Sequence, residues 1–74
     1  MNRESEKRIL KLELEKRDKI RKASERKLEK YNRANQRVFN AISQEEIDEI
    51  KLEIETQILE IEILKTKIKD IGDE

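Results

Sequence analysis

The chain has 74 residues, 49% of them charged, with 18 Lys and Arg balanced by 18 Asp and Glu. It contains no His and no Cys and has a single Gly. That excludes the usual zinc sites, thiol and histidine chemistry and Walker-type phosphate loops, so no catalytic, cofactor-binding or metal-ligating residue is assigned.

A chain of this size with no disulfide or metal rarely buries enough apolar surface alone, so a homo-oligomer is expected. Tyr31 and Phe39 are the only aromatics, and their spacing reads as core. The core must otherwise be Ile and Leu, as in helical bundles. High charge with Glu, Lys, Leu and Arg in excess reads as long helix or coiled coil rather than disorder, because the apolar residues are periodic. No apolar run reaches the length of a membrane span, and residues 1–8 are too polar to direct secretion. A cytoplasmic, non-membrane protein is expected.

In chain order, a first helix is expected over about residues 4–40, capped by Ser5 or Asn2. Its apolar pattern is uneven. Ile9, Leu10, Leu12 and Leu14 cluster near its start, and Arg17, Arg21 and Ser24 interrupt the heptad frame running through Leu10 and Leu14. The pattern then resumes with Leu28, Tyr31, Val38 and Ile42, with Asn35 among them. The middle is strongly basic. Lys16, Arg17, Lys19, Arg21, Lys22, Arg26, Lys27, Lys30, Arg33 and Arg37 face only Asp18, Glu25 and Glu29 as nearby acids. These ten cations are the candidate nucleic-acid face.

A turn is expected near 40–43, within Phe39-Asn40-Ala41-Ile42-Ser43, because Asn40 tolerates the left-handed conformation that closes helices. A second helix is expected over about 44–71. Ser43 is a natural N-cap, and Glu46 three residues on completes a capping box. Ile42 and Ile47 suit a hydrophobic staple. Gly72 falls where a left-handed residue would end the helix.

Within that helix Ile47, Ile54, Ile61 and Ile68 occupy heptad position a, and Ile50, Gln57, Leu64 and Ile71 occupy d. This is a coiled-coil seam with one polar layer, expected to hold an oligomer together. Gln57, like Asn35, reads as a buried polar residue that sets register. Lys51–Glu55, Leu59–Ile63 and Leu10–Glu15 also alternate with the period of a strand. The absence of Pro, and of Gly before residue 72, leaves strand hairpins nowhere to turn. On a helix the alternation instead puts Leu52, Leu59 and Ile63 on the face away from the seam. They form a candidate partner surface or a second oligomer contact.

The two halves are electrostatic complements. Residues 1–42 carry 14 Lys and Arg against 7 Asp and Glu, net +7, and residues 43–74 carry 4 against 11, net −7. This favours an antiparallel helical hairpin over one unbroken helix about 100 Å long. Such hairpins are expected to pair as a dimeric four-helix bundle. A turn near residue 42 makes facing residue numbers sum to about 84. Glu13 and Glu15 then meet Lys67 and Lys69, Lys22 and Arg26 meet Glu60 and Glu62, and Arg33 and Arg37 meet Glu46 and Glu49. Glu46 and Glu49 also form a carboxylate pair, expected to be solvated rather than catalytic.

A basic helix followed by heptads resembles the layout of leucine-zipper transcription factors, which would imply DNA binding through the basic segment. The stretch Tyr31-Asn32-Arg33-Ala34-Asn35-Gln36-Arg37 departs from that family's pattern. It lacks the Asn-x-x-Ala-Ala run and the Ser/Cys-Arg that follows it. The function expected is that of a small non-enzymatic coiled-coil protein that binds another protein as an inhibitor, adaptor or assembly factor. Nucleic-acid binding is the alternative.

Overall fold

In the computed structural model, which describes residues 3–72, two α-helices form an antiparallel hairpin with no strand among the described residues. Helix α1 spans Arg3–Arg37 and α2 spans Gln44–Gly72. The molecule measures 54 × 16 × 14 Å. Its long dimension matches one helix of 35 residues at 1.5 Å per residue, about 52 Å, and not the sum of two.

The reversal is built from short-range chemistry. Val38 still donates its N–H to the Ala34 carbonyl at 3.0 Å, the last turn of α1. Asn40 then takes φ 56°, the left-handed conformation its short polar side chain tolerates. Ala41 donates back to the Val38 carbonyl at 3.1 Å, closing a tight turn. The Asn35 Oδ1 accepts the Ile42 N–H at 2.8 Å, tying the departing strand of the loop to the last turn of α1. Asn35 thus serves the turn rather than a polar layer of the seam. Ser43 Oγ accepts the Glu46 N–H at 3.2 Å, and its carbonyl accepts the Ile47 N–H at 3.2 Å to open α2. The Ser43 half of the capping box forms without a return bond from Glu46.

Three boundaries differ from those expected. Helix α1 stops at Arg37 because the chain has already turned by Asn40. Val38, expected in the apolar pattern, and Phe39, expected in the core, therefore lie on the tip of the hairpin, 62% and 87% exposed. Ser5 lies inside α1 and does not precede it, while Asn2 falls outside the described residues. Gly72 is the last residue of α2 and has no positive φ. A Cβ built there would lie 2.9 Å from Lys7 Nζ, so the glycine admits a lysine cation at the negative end of α2.

The register also differs. Arg17 pairs with Glu60, Lys7 lies over Gly72, and Leu14 and Asp18 share a groove with Ile61 and Lys65. Facing numbers therefore sum to about 78, six less than expected. A turn centred near residue 39 rather than 42 accounts for the difference. The core is one seam. From α2 it takes Ile47, Ile50, Ile61 and Leu64, all buried, with Ile54, Ile68 and Ile71 half-buried. From α1 it takes Leu10, Leu14, Leu28 and Tyr31, half-buried, and the buried Ser24. This is the Leu10–Leu14 frame, continued through Arg17, Arg21 and Ser24. The register sets Arg21 at the level of Gln57, which is buried with its Oε1 unpartnered.

Two measurements check this packing. Spin labels at Lys11 and Lys69, diluted into unlabelled chain, should lie roughly 10–25 Å apart, given helices packed 8–10 Å apart; a separation near 87 Å, the length of an unbroken helix between them, would refute the hairpin. Gln57→Leu should remove an unsatisfied buried carbonyl and raise stability by about 1–3 kcal/mol in urea melts. A lowered midpoint would mean the amide contributes to folding.

Candidate interaction surfaces

The seam expected to join copies of the chain is occupied by α1 of the same chain. Ile47, Ile50, Ile54, Gln57, Ile61, Leu64, Ile68 and Ile71 all turn toward it. What the hairpin offers the outside is its two outer faces.

On α2 the outer face carries Leu52, Leu59 and Ile63, 63%, 63% and 54% exposed. Two threonines, Thr56 and Thr66, complete a run spaced by four, three, four and three residues. That is a second heptad seam, diametrically opposed to the first. Both threonine hydroxyls bond back to their own helix: Thr56 Oγ1 donates to the Leu52 carbonyl at 2.9 Å, and Thr66 Oγ1 to the Glu62 carbonyl at 3.0 Å. Their hydrogen-bonding capacity is spent on the backbone, and their methyl groups continue the apolar stripe. Leu59, Ile63 and Thr66 line a shallow groove, edged by Glu62 and Lys67. Sequence reasoning found the three aliphatic residues. The threonines are invisible to it unless the 3–4 spacing is followed through polar positions. Asp48, Glu55 and Glu62 border the stripe on one side and Glu46, Glu53 and Glu60 on the other. Glu46 and Glu49, the carboxylate pair, are both exposed.

On α1 the structure sorts the ten candidate cations into groups. Arg17 lies beside the seam and spans two acids, Glu13 at 3.0 Å and Glu60 of α2 at 2.8 Å. Glu60 Oε2 is within ion-pair distance of Arg17, yet off the line of a hydrogen bond. Arg21 binds Asp18 at 2.8 Å and Glu25 at 2.9 Å, and Lys22 binds Asp18 at 3.2 Å. Lys27 sits over the Tyr31 ring, 5.7 Å from its centre. Arg33 binds Glu29 at 2.6 Å. Lys16, Lys19, Arg26, Lys30 and Arg37 are exposed and form no ion pair among the described residues.

None of the cross-helix pairs expected from the sequence forms. The acids of α1 stand three or four residues from its cations, already within reach, and α2 is displaced by the shifted register. Arg17–Glu60 is a cross-helix ion pair that forms instead.

Asp18 is the most connected acid. Hydrogen bonds from Arg21 and then Lys22 hold its carboxyl below the usual range, and the same Asp18 and Glu25 contacts raise the Arg21 guanidinium. No group of His, Cys, Asp and Glu among the described residues is placed to hold a metal ion. No helix among them is long and apolar enough to cross a membrane. Comparison with protein-family models, characterised proteins and solved structures finds no match to this chain.

The Asp18 network gives the acid limb of the stability curve its sign. A depressed folded-state pKa means the unfolded chain binds the proton more tightly. The contribution is therefore complete above about pH 4, the unfolded value, and lost as pH falls through the lower folded value. Thermal midpoints from pH 7 to pH 2 should fall on that acid limb, and Asp18→Asn should make the fall shallower. An identical profile in the variant would remove Asp18 from the account.

Proposed function

We propose that the chain is a non-enzymatic interaction protein that binds another protein through the outer stripe of α2. The observation carrying this reading is the second heptad seam, Leu52-Thr56-Leu59-Ile63-Thr66, dried by its own threonine back-bonds. A stripe of large exposed apolar side chains at heptad spacing is the recognition surface of a helix-on-helix complex. Its acidic borders specify the partner: an amphipathic helix whose apolar seam is edged by Lys and Arg. Adaptor, inhibitor and assembly factor are all roles that such a surface serves.

The thin core favours a second occupant, another copy of the chain in a four-helix dimer. Among the described residues only Ile47, Ile50, Ile61 and Leu64 are buried apolar residues, while Ile9 and Leu12 on α1 and Ile58 on α2 are also exposed. The charges oppose a symmetric pairing of α2 with itself. An antiparallel pair that sets Leu52 on a second copy's Ile63 sets Glu53 near its Glu60 and Glu55 near its Glu62. A parallel pair matches acid to acid along most of the stripe. The basic partner therefore fits this face better than a second copy does.

The probe is a synthetic amphipathic helix with Leu at heptad positions a and d and Lys or Arg at e and g. It should bind the chain in calorimetry, more weakly as salt rises. Leu59→Asp should lose that binding by tenfold or more while keeping the parent's melt. Ile61→Asp, on the buried seam, should instead unfold the chain, because an unpaired charge cannot be housed there. Light scattering separates the two occupants. A dimer converted to monomer by Leu59→Asp assigns the stripe to self-association. A monomer indifferent to the peptide refutes both.

A further inference from the structure

The outward cations of α1, all but Arg33 without an ion pair among the described residues, are not scattered. Lys16, Lys19, Arg26, Lys30, Arg33 and Arg37 follow one another along the outer face of α1 at three- and four-residue steps, with Ala23 filling the remaining place. All are exposed, and no acid stands in the row. Between Lys16 and Arg37 it runs about 31 Å along the helix at 1.5 Å per residue. Asp18 and Glu25 are held aside by Arg21 and Lys22, so among nearby acids only Glu29, on Arg33, touches the row. The α2 acids bordering the outer stripe lie largely on the other side of a rod 16 × 14 Å in section. A chain with zero net charge thus presents one positive side and one negative side.

We propose that the outer face of α1, from Lys16 to Arg37, is a sequence-independent binding site for the phosphate backbone of duplex DNA. A straight cationic row of this length spans nearly one turn of B-form duplex, about 34–36 Å. The row holds only Lys, Arg and Ala, with no Asn or Gln to read adenine, and its evenly spaced cations suit the phosphates that every sequence presents. A membrane surface is the poorer match, because a helix lying in a bilayer interface needs large apolar side chains along its cationic length; between Lys16 and Arg37 the row offers Ala23 alone, and the exposed Ile9 and Leu12 lie beyond its end. The acidic side of α2 is repelled by the duplex and orients the rod with α1 toward it.

The test uses the full chain with two duplexes of unrelated sequence, each about 30 base pairs, in fluorescence anisotropy from about 20 to 300 mM salt. Both should bind alike, with log K falling against log salt at a slope of about −4.5 to −5.4, as five or six phosphate contacts require. The triple variant K19A/R26A/K30A should flatten that slope by about 2.7. K51A/K65A/K69A loses the same charge from α2 and should leave the slope unchanged. Circular dichroism should show both variants as helical as the parent. The proposal is overturned by absence of binding at low salt or by equal weakening in the two variants. Adhesion to phosphatidylglycerol vesicles without binding to duplex overturns it as well. Leu59→Asp, on the opposite face, should bind DNA as the parent does, which keeps this test separate from that of the α2 stripe.

Discussion

A two-helix hairpin has one internal interface, and the rest of this structure follows from that limit. Each helix turns one face to the other and leaves the opposite face to solvent or to a partner. The α2 residues are apolar on both faces, so satisfying one seam strands the other. The choice of inner seam is settled by side-chain volume and continuity. The a/d frame supplies large aliphatic residues at nearly every layer from Ile47 to Ile71, whereas the outer frame has acids at 45 and 49 and threonine at 56 and 66. The longer apolar run goes inward, where burial is worth most.

The inner seam is itself polar at its centre. Arg17, Arg21 and Ser24 of α1 stand in the heptad frame, and Gln57 faces them from α2. The arginines resolve the conflict by reaching sideways to carboxylates. Arg21 is committed to Asp18 and Glu25, and Arg17 to Glu13 and Glu60. Their aliphatic stems remain over the seam while their charges stay near water. The commitment leaves Gln57 Oε1 without a donor. One polar layer thus sits in the seam at some expense in stability.

The same local pairing shapes the outside. Acids that neutralise Arg17, Arg21 and Lys22 are no longer available to the outward cations of α1. The row from Lys16 to Arg37 keeps its positive character because Arg21 and Lys22 engage Asp18 and Glu25. On α2 the threonine back-bonds act in the opposite sense and remove polarity from the outer face. Both surfaces are by-products of hydrogen bonds made within single helices.

Much of this was legible from local chemistry. Helical period, the Ser43 cap, the left-handed Asn40 and the division into basic and acidic halves each depend on residues a few positions apart, and the chain determines them by itself. The a/d residues of α2 were legible for the same reason, as were Leu52, Leu59 and Ile63 on the opposite face. What only the tertiary structure decided depends on where the chain reverses. Ending α1 at Arg37 rather than near 40 moves the register by six and replaces every expected cross-helix ion pair. It puts Phe39 on the tip instead of in the core. It also spends Asn35 on the turn and brings Lys7 over Gly72. Charge complementarity is too weak and too long-ranged to choose among neighbouring registers, because exposed ion pairs are worth little and i to i+4 partners are always nearer. The register was chosen instead by the loop's hydrogen bonds and by the fit of Ile and Leu layers across the seam, neither of which can be read before the two helices are placed together.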